Sequence, residues 1–198
     1  MSDLIDLPPA PEAIRTFTQA IVTPRLELRL VEAADVEALY RHFADWEVVR
    51  WLARPSWPME PAMMADFLDG CSGRQAAGEA AYRAIARDGE AVGAIDWSYG
   101  GGASYLGYWL GRAHWGQGLM SEAAAAFVDA IFAVSNERAI LSGVFEGNVA
   151  SHAIQMKLGF VETGLSVHYS VPRGVDLRHI DTKLTRTARR VAALKATT

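Results

Sequence analysis

Two glycines at positions 116 and 118 stand in the segment of this chain with the clearest chemical potential. A run of residues with helical spacing follows them directly. Glycine permits backbone angles and close approaches that a Cβ would block. The amides of such a turn and of the next helix's first turn point together, and the helix dipole adds partial positive charge. The segment therefore predicts a pyrophosphate site, although glycine turns before helices also serve simply as caps.

Two better-known nucleotide loops do not fit this segment. A P-loop requires Gly-Lys-Ser/Thr, whereas Gly118 is followed by Leu119 and Met120. The dinucleotide fingerprint requires a third glycine and a parallel strand–helix–strand unit, and the sequence indicates neither. Both nucleotide-fold interpretations are therefore excluded.

A second polar block begins at Asn148, 30 residues beyond Gly118. Asparagine favours the N-cap of a helix, and Ser151 and Gln155 follow it on one helical stripe. Lys157 falls in the last turn, where it can reach a phosphate or interact with the helix dipole. Capping alone would also account for Asn148 and Ser151, so it is the glycine turn that favours a ligand site here.

Together the two blocks resemble the GNAT superfamily of N-acetyltransferases. The pyrophosphate turn of that family is Gln/Arg-x-x-Gly-x-Gly/Ala, which Gly116 and Gly118 match. Ala113 stands at its first position, with Arg112 one place earlier, so backbone amides must do more of the binding. The sequence is similar in particular to the RimJ/RimL branch, the ribosomal-protein N-terminal acetyltransferases and their relatives. That similarity lies in residues 23–29, 107–110, 114–118, 121–123, 148–160 and 173–176, within a matching stretch of residues 23–186.

The resemblance implies acetyl-coenzyme A as co-substrate. No metal is expected, because the histidines show neither an i,i+4 pair nor a cluster with cysteine. The strand at residues 104–110 would separate from its neighbour, and its last backbone groups would pair with the pantetheine arm as an added strand does. The implied cofactor-binding residues are Trp109, Leu110, His114, Trp115, Gly116, Gln117, Gly118, Leu119, Asn148 and Lys157.

Acyl transfer also needs an amine without its proton and a proton for the departing thiolate. Many members of the superfamily supply that proton from a tyrosine in the helix after the asparagine. Gln155 occupies the counterpart position and cannot act as an acid, so the resemblance to the RimL type implies Ser151 as the donor. The general base is left open among Glu79, Asp96, Glu146 and Glu162.

The acceptor predicted first is the α-amine of a protein or peptide. With a pKa near 7.8, about a seventh of an α-amine is neutral at pH 7, against about one lysine in 2,500. Two alternatives remain, a small-molecule amine as acceptor and a non-catalytic acyl-CoA-binding domain. The region around Trp46, Trp51 and Trp57 would wall off either kind of acceptor.

The predicted elements make an α+β domain with a mixed, mostly antiparallel central sheet flanked by helices, in the order βααβββαβαββ. Period-two alternation predicts the strands, and the Asp88-Gly89 pair between two apolar runs predicts a hairpin. The strands cover residues 26–30, 80–86, 91–97, 104–110, 139–144, 160–163 and 179–184, and the helices cover residues 35–43, 61–69, 119–131 and 148–158.

The chain ends are expected to lie outside this domain. Residues 1–22 are rich in proline and aspartate and predict an extended or partly ordered lead-in. The domain itself is expected at residues 23–186, followed by a short, basic and helical C-terminal tail at 187–198.

Composition excludes several other classes of protein. A formal net charge of −4 leaves no basic stripe for direct nucleic-acid binding. No apolar run approaches the roughly 18 to 20 residues of a membrane helix. Cys71, the single cysteine, favours a reducing and hence cytoplasmic location and is expected to pack rather than react. The five histidines lack metal-ligand spacing along the chain.

Overall fold

The computed structural model describes residues 7–196 and is organised around one eight-stranded sheet. The strand order is β1-β2-β3-β4-β5-β6-β8-β7, and every neighbouring pair is antiparallel except β5 and β6. This confirms the α+β class with a mixed, mostly antiparallel sheet. The strands are β1 (Ile21–Val22), β2 (Glu27–Arg29), β3 (Ala80–Arg87), β4 (Glu90–Gly100), β5 (Ala103–Leu110), β6 (Ala139–Phe145), β7 (Val161–Ser170) and β8 (Val175–Thr185).

Helices cover both faces of the sheet. Helices α1, α5 and α6 pack on one face, called here the α5 face, where Ile85, Ile95 and Phe127 are fully buried. Helices α2 and α4 pack on the other, the α4 face, around Phe43 and Leu68. The helices are α1 (Ala10–Thr16), α2 (Val36–Phe43), α3 (Trp46–Val49), α4 (Pro61–Ala77), α5 (Leu119–Val134), α6 (Val149–Leu158) and α7 (Arg186–Ala196), with short 3₁₀ turns at Ala33–Asp35 and Arg112–His114.

The prediction of an extended lead-in was wrong for residues 10–16, which form helix α1. The prolines initiate the helix instead of preventing it, since Pro11 lies in its first turn, where no donor is lost. Ile14 is fully buried, and the Phe17 ring packs 5.8 Å from Trp97 and 5.7 Å from Phe127. Burial of these side chains offsets the cost of ordering the segment.

Arg83 fixes the end of α1 to the sheet. Its side chain is fully buried, and its guanidinium lies 4.8 Å from the Phe17 ring centroid. It donates to the backbone carbonyls of Phe17 and Tyr82, while Gln75 of α4 donates to the same Phe17 carbonyl at 2.7 Å. Burial lowers the pKa of Arg83 to about 10, so the side chain stays charged at neutral pH.

Helix α4 extends eight residues past its predicted end at position 69, through Gly70 and Gly73. Met64, Leu68, Cys71 and Gln75 are buried along it. Their burial continues the apolar stripe and outweighs the roughly 1 kcal/mol that each glycine costs in a helix. Gly78, with a φ of 75°, then ends the helix in a left-handed cap.

The C-terminal half of the domain departs from the prediction in the length of its last hairpin. Strands β7 and β8 cover Val161–Ser170 and Val175–Thr185, where shorter strands were predicted. Leu165, Val167 and Tyr169 alternate with polar residues along β7, so the sequence carried a strand signal that the prediction did not use, although these side chains are exposed. The predicted helical tail is confirmed as α7. Its Arg189 forms an ion pair with Asp129 of α5 at 2.6 Å. Among residues 7–196, no helix combines the length and apolar character needed to cross a bilayer.

Strands β5 and β6 are parallel neighbours that pair at a single position, Tyr105 with Leu141. Beyond that pair, the hydroxyl of Ser142 donates to the carbonyl of Leu106 at 3.0 Å. Among residues 7–196 no further backbone pair joins the two strands, so they diverge into a cleft, in agreement with what the family resemblance implies for residues 104–110. The parallel strand–helix–strand unit β5–α5–β6 was not predicted, so the case against a dinucleotide fingerprint depends on the missing third glycine.

We expect Phe17→Ala to lower the free energy of unfolding by about 3–5 kcal/mol, because it removes a ring packed against two others in the core. Chemical denaturation followed by tryptophan fluorescence measures this. Gln19→Ala, at an exposed position nearby, is the matched control and should change stability little. An equally small effect of Phe17→Ala would show that the segment contributes nothing to the fold.

Candidate functional site

The glycine turn joins the end of β5 to the start of α5. Gly116 and Gly118 have φ values of 72° and 75°, in the left-handed region that favours glycine. Gly118 is the N-cap residue of α5 and has no side chain with which to cap the first-turn amides. A Cβ at Gly116 would meet nothing within 4 Å. The turn therefore presents open backbone at the positive end of a 16-residue helix, as an anion site requires.

A charged clamp holds this turn in place. Arg25 donates from Nε to Glu122 Oε2 at 2.6 Å and from a terminal nitrogen to the carbonyl of Gln117 at 2.8 Å. The Thr23 hydroxyl donates to Glu122 Oε1 at 2.7 Å. Burial alone would raise the pKa of Glu122, but the hydrogen bonds from Thr23 and Arg25 hold that pKa below its ordinary value. The clamp was not predicted, because Arg25 and Glu122 lie 97 positions apart.

The side chains of the turn mostly support its shape. Gln117 accepts from Arg87 at 2.8 Å and donates to the carbonyl of Ala113 at 3.1 Å. The Trp115 indole donates to the carbonyl of Leu110 at 2.7 Å and is partly exposed. Leu119 is buried beneath the turn and serves the core. Backbone amides are thus the groups that the turn offers to an anion.

His114 faces inward from the 3₁₀ turn. Its ring packs 5.0 Å from that of His42, and burial together with His114 lowers the pKa of His42. The Nδ1 atom of His114 is buried and has no hydrogen-bond partner among residues 7–196. Arg112, on the same turn, has 62% of its side chain exposed and lies 4.0 Å from the carboxylate of Asp45.

Strand β5, which was predicted to pair with the pantetheine arm, packs against different residues on its two faces. The Trp109 ring packs 4.8 Å from Phe43 on the α4 face, and Leu110 is buried on the α5 face. Their backbone follows the unpaired side of β5 along the cleft. The carbonyl of Leu110 already accepts from Trp115, so the segment before it has the more available backbone groups.

Ser151 and Tyr108 meet beside the cleft. The Ser151 hydroxyl lies 2.9 Å from the Tyr108 hydroxyl, which in turn lies 3.2 Å from the carbonyl of Ser151. The side chain of Asn148 accepts from the Ser151 amide at 3.2 Å and so caps α6. Burial raises the pKa of the Tyr108 phenol, which keeps its proton in place at neutral pH. Tyr108 was not predicted as a site residue, because its partner Ser151 is 43 positions away. Strand alternation alone places its side chain on the face of β5 opposite that of Trp109.

Gln155 shares a helical stripe with Ser151, but it is buried against the strands at the edge of the cleft and is not open to a ligand. It is 1% exposed and donates to Ser142 at 3.0 Å and to the carbonyl of Gly143 at 3.3 Å. Thr182 of β8 donates to its side-chain oxygen at 2.7 Å. Gln155 therefore joins α6 to β6 and β8. Lys157, at the far end of α6, is exposed and makes no side-chain hydrogen bond or ion pair within residues 7–196.

The four candidate bases fall into two groups. Glu79, Glu146 and Glu162 are exposed, and each lies beside a basic or histidine side chain. Asp96 is different, because its carboxylate lies against the backbone of β5 at Gly107, and burial raises its pKa to about 6.

Cys71 is buried within α4, and its thiol lies 3.3 Å from the carbonyl of Phe67. Burial raises the pKa of the thiol to about 11. A thiol with so little thiolate is a poor nucleophile, which agrees with the predicted packing role.

Residues 25–161, well over half of the chain, match the family model described as an acetyltransferase (GNAT) domain. This chain belongs to the GNAT acetyltransferase family. The family to which the sequence motifs pointed is therefore confirmed, and with it membership of the acetyl-CoA-dependent N-acetyltransferases.

Individual relatives agree with this family. The uncharacterized N-acetyltransferase p20 of Bacillus licheniformis is 27% identical over 161 residues, which cover 79% of this chain and 90% of that protein. RimJ of Mycobacterium smegmatis, solved with CoA-disulfide, has a TM-score of 0.77 at 22% identity, over 90% of this chain and 96% of that one. The ribosomal-protein-S5-alanine acetyltransferase of Vibrio fischeri has a TM-score of 0.74 at 20% identity, over 84% and 96%. At these identities the two solved structures show the shared GNAT fold.

The described residues fit acetyl-CoA, the co-substrate of this family. The open glycine turn can take phosphate oxygens, and the unpaired side of β5 can take an amide-bearing arm. Both lead to the hydroxyl pair of Ser151 and Tyr108.

Glu122→Gln should weaken acetyl-CoA binding by about tenfold, because one charged hydrogen-bond partner of the turn is lost. Calorimetric titration with acetyl-CoA measures the effect. Glu37→Gln, at an exposed glutamate of α2, is the control that should bind normally.

The same variant makes a pH-dependent prediction for stability without ligand. A carboxyl whose folded pKa is lowered stabilises the protein above its ordinary pKa and loses that contribution as the pH falls through the folded value. The difference in Tm between wild type and Glu122→Gln should be full at pH 7 and shrink as the pH falls below 4. A difference that grows on acidification would contradict the clamp.

Proposed function

We propose that this protein transfers the acetyl group of acetyl-CoA directly to the α-amine of a protein or peptide N-terminus. The observation that carries the proposal is that the glycine turn follows directly on β5, the strand that borders the cleft and carries Tyr108, whose hydroxyl lies 2.9 Å from that of Ser151. The residues proposed to carry the reaction lie within 23–186, and α1, β1 and α7 pack against that part of the chain from either side. The proposed setting is the cytoplasm, with no resident metal and no direct nucleic-acid contact.

In this proposal the backbone does most of the cofactor binding. The amides of residues 116–119 hold the pyrophosphate, and the unpaired backbone before Leu110 pairs with the pantetheine amides. Asn148 uses its side-chain oxygen as a helix cap, which leaves its NH₂ group for the cofactor arm. Lys157, exposed and without a side-chain partner within residues 7–196, is assigned to the outer phosphate.

Ser151 and Tyr108 supply the proton for the departing thiolate. Their hydroxyls lie 2.9 Å apart, so either can replace a proton that the other gives up. The raised pKa of Tyr108, caused by burial, keeps this pair protonated before the reaction. As the carbon–sulfur bond breaks, the developing charge on sulfur meets a hydroxyl instead of bulk water.

The choice of an α-amine follows from its chemistry and from the shape of the α4 face. A substantial fraction of an α-amine is already neutral at pH 7, so little work is needed to activate it. The Trp46 and Trp57 rings lie 5.5 Å apart, and Trp51 lies 3.6 Å from the place of a Cβ on Gly147, beside Asn148. These rings form a wall against which the first residues of a peptide can pack.

The direct test is mass spectrometry of products after incubation with acetyl-CoA. The substrates are peptides with a free N-terminus, the same peptides with a blocked N-terminus and a lysine, and a panel of small amines. We expect acetylation of free N-termini at least tenfold faster than of lysine side chains, because more of the α-amine is neutral. Transfer only to small amines would replace the peptide proposal with a small-molecule one, and binding without transfer to any amine would contradict catalysis.

Ser151→Ala should lower kcat and kcat/KM together by about 10²- to 10⁴-fold, because the proton transfer occurs in the transition state. Calorimetric affinity for coenzyme A should stay within a few-fold, since the pyrophosphate contacts lie elsewhere. Ser72→Ala, which removes an exposed serine of α4, is the control. Full kcat in Ser151→Ala would leave Ser151 with a structural role only.

A further inference from the structure

Two glycines lie opposite each other where the β5–β6 cleft opens. Tyr105 and Leu141 form the one parallel pair between these strands, and Gly107 and Gly143 each lie two residues beyond it. Both therefore belong to the α4 face, because side chains alternate along a strand. The space that a Cβ would fill at each glycine is taken by a titratable side chain from the next strand outward, Asp96 of β4 at Gly107 and His179 of β8 at Gly143.

His179 is held by a carboxylate on its own strand. Its Nδ1 lies 2.8 Å from Asp181 Oδ1, which also accepts from the Ser166 hydroxyl at 2.8 Å. Its Nε2 lies on the opposite side of the ring, 2.9 Å from the place of a Cβ on Gly143. The Phe145 and His168 rings pack against it at 5.6 and 4.5 Å. With Nδ1–H donated to Asp181, Nε2 carries the free lone pair and lies over the strand that borders the cleft.

Asp96, on the other side of the cleft, is less suited than His179 to receive a proton from a cationic amine. Its carboxylate accepts from Ser98 and lies in the positive field of Arg54 and Arg74. That field disfavours the approach of an ammonium group. The charged and titratable groups that face His179 are Asp181 of β8 and His168 of β7. Burial alone would raise the pKa of Asp181, but hydrogen bonds from His179 and Ser166 hold it below its ordinary value, so Asp181 stays anionic at neutral pH.

We propose that His179, oriented by Asp181, is the general base that removes the proton from the acceptor ammonium at the cleft. This inference rests on the proposed transfer to an amine and adds its missing base. None of the four acidic side chains named from the sequence is then needed for that step.

The protons balance as follows in this scheme. Nε2 of His179 takes one proton from the ammonium and returns it to solvent, which leaves a neutral amine whose lone pair forms the new carbon–nitrogen bond. The carbon–sulfur bond breaks, and the thiolate takes a proton from the hydroxyl pair of Ser151 and Tyr108. The amide nitrogen gives up its second proton, which restores that pair. The net reaction releases one proton per acetyl group.

The scheme predicts a distinctive pH profile for His179→Gln. Histidine is the side chain that ordinarily changes charge between pH 5 and 8, so the wild-type acid limb should follow an imidazole. In the variant, kcat/KM for a free-N-terminus peptide should fall about sevenfold at pH 7, because only the roughly one seventh of the amine that is already neutral can then react. The loss should shrink as the pH rises past the acceptor pKa of about 7.8, because a neutral amine no longer needs the base. Coenzyme A affinity should be unchanged.

Two further variants test the arrangement. Asp181→Asn should lower kcat/KM at pH 7 in the same direction as His179→Gln and leave coenzyme A affinity unchanged, because the imidazole loses the carboxylate that orients its ring. His152→Gln breaks another histidine–carboxylate contact, 2.8 Å from His152 to Glu162 on the α5 face, and should leave the profile unchanged.

Several outcomes would overturn the assignment. One is a wild-type pH profile in His179→Gln, and another is an acid limb abolished by Asp96→Asn instead. Equal inactivation of His168→Gln and His179→Gln, with loss of wild-type activity in a chelator and its recovery with Zn²⁺, would show a metal site in place of the base. A wild-type protein that binds acetyl-CoA and acetylates no amine would overturn the proposed function and the base with it, whereas transfer unaffected by His179→Gln removes the base alone.

Discussion

The parallel contact between β5 and β6 is the constraint on which the rest of this structure depends. Parallel neighbours cannot be joined by a tight turn, so the chain must cross back through a helix, here α5. That crossover puts the positive end of α5 at the carboxyl end of β5, where the strands have begun to separate. The anion site and the cleft are therefore consequences of one topological requirement. The clamp from Arg25 to Glu122 then fixes the turn between them.

The separation of the strands also divides the chemistry between the two faces of the sheet. Tyr108 lies on the α5 face beside Ser151, whereas Gly107 and Gly143 belong to the α4 face. In the proposed mechanism, a proton is thus delivered to sulfur from one side of the cleft while another is removed from the amine on the opposite side. Neither face needs a group that acts as both acid and base. Such a division suits direct transfer, and the buried Cys71 thiol with its raised pKa offers no covalent alternative.

Features with a local physical cause could be predicted from the sequence, and features made by distant strands could not. The left-handed turn at Gly116 and Gly118 and the N-cap at Asn148 leave local signals, because a few neighbouring residues set the backbone. The Tyr108–Ser151 contact and the position of His179 over Gly143 depend on strand register, to which no single stretch of sequence points. Helix α1 was missed for a similar reason, since its stability comes from rings that the chain supplies about 80 to 110 residues later. His179 was not among the base candidates named from the sequence, because its position beside Gly143 is set by strand register.

The buried position of Gln155 accounts for the absence of a tyrosine at this place on α6, where many members of the superfamily carry one. Its amide joins Ser142, the carbonyl of Gly143 and Thr182, and so connects the helix to both strands beyond the cleft. A tyrosine there would have one hydroxyl in place of an amide oxygen and an NH₂ group, and at least one buried polar partner would lose its hydrogen bond, at a cost of about 1–3 kcal/mol. The side chain that orders this edge of the cleft thus cannot also supply the proton. A phenol from β5, across the cleft and bonded to Ser151, allows both tasks to be met in the same small volume.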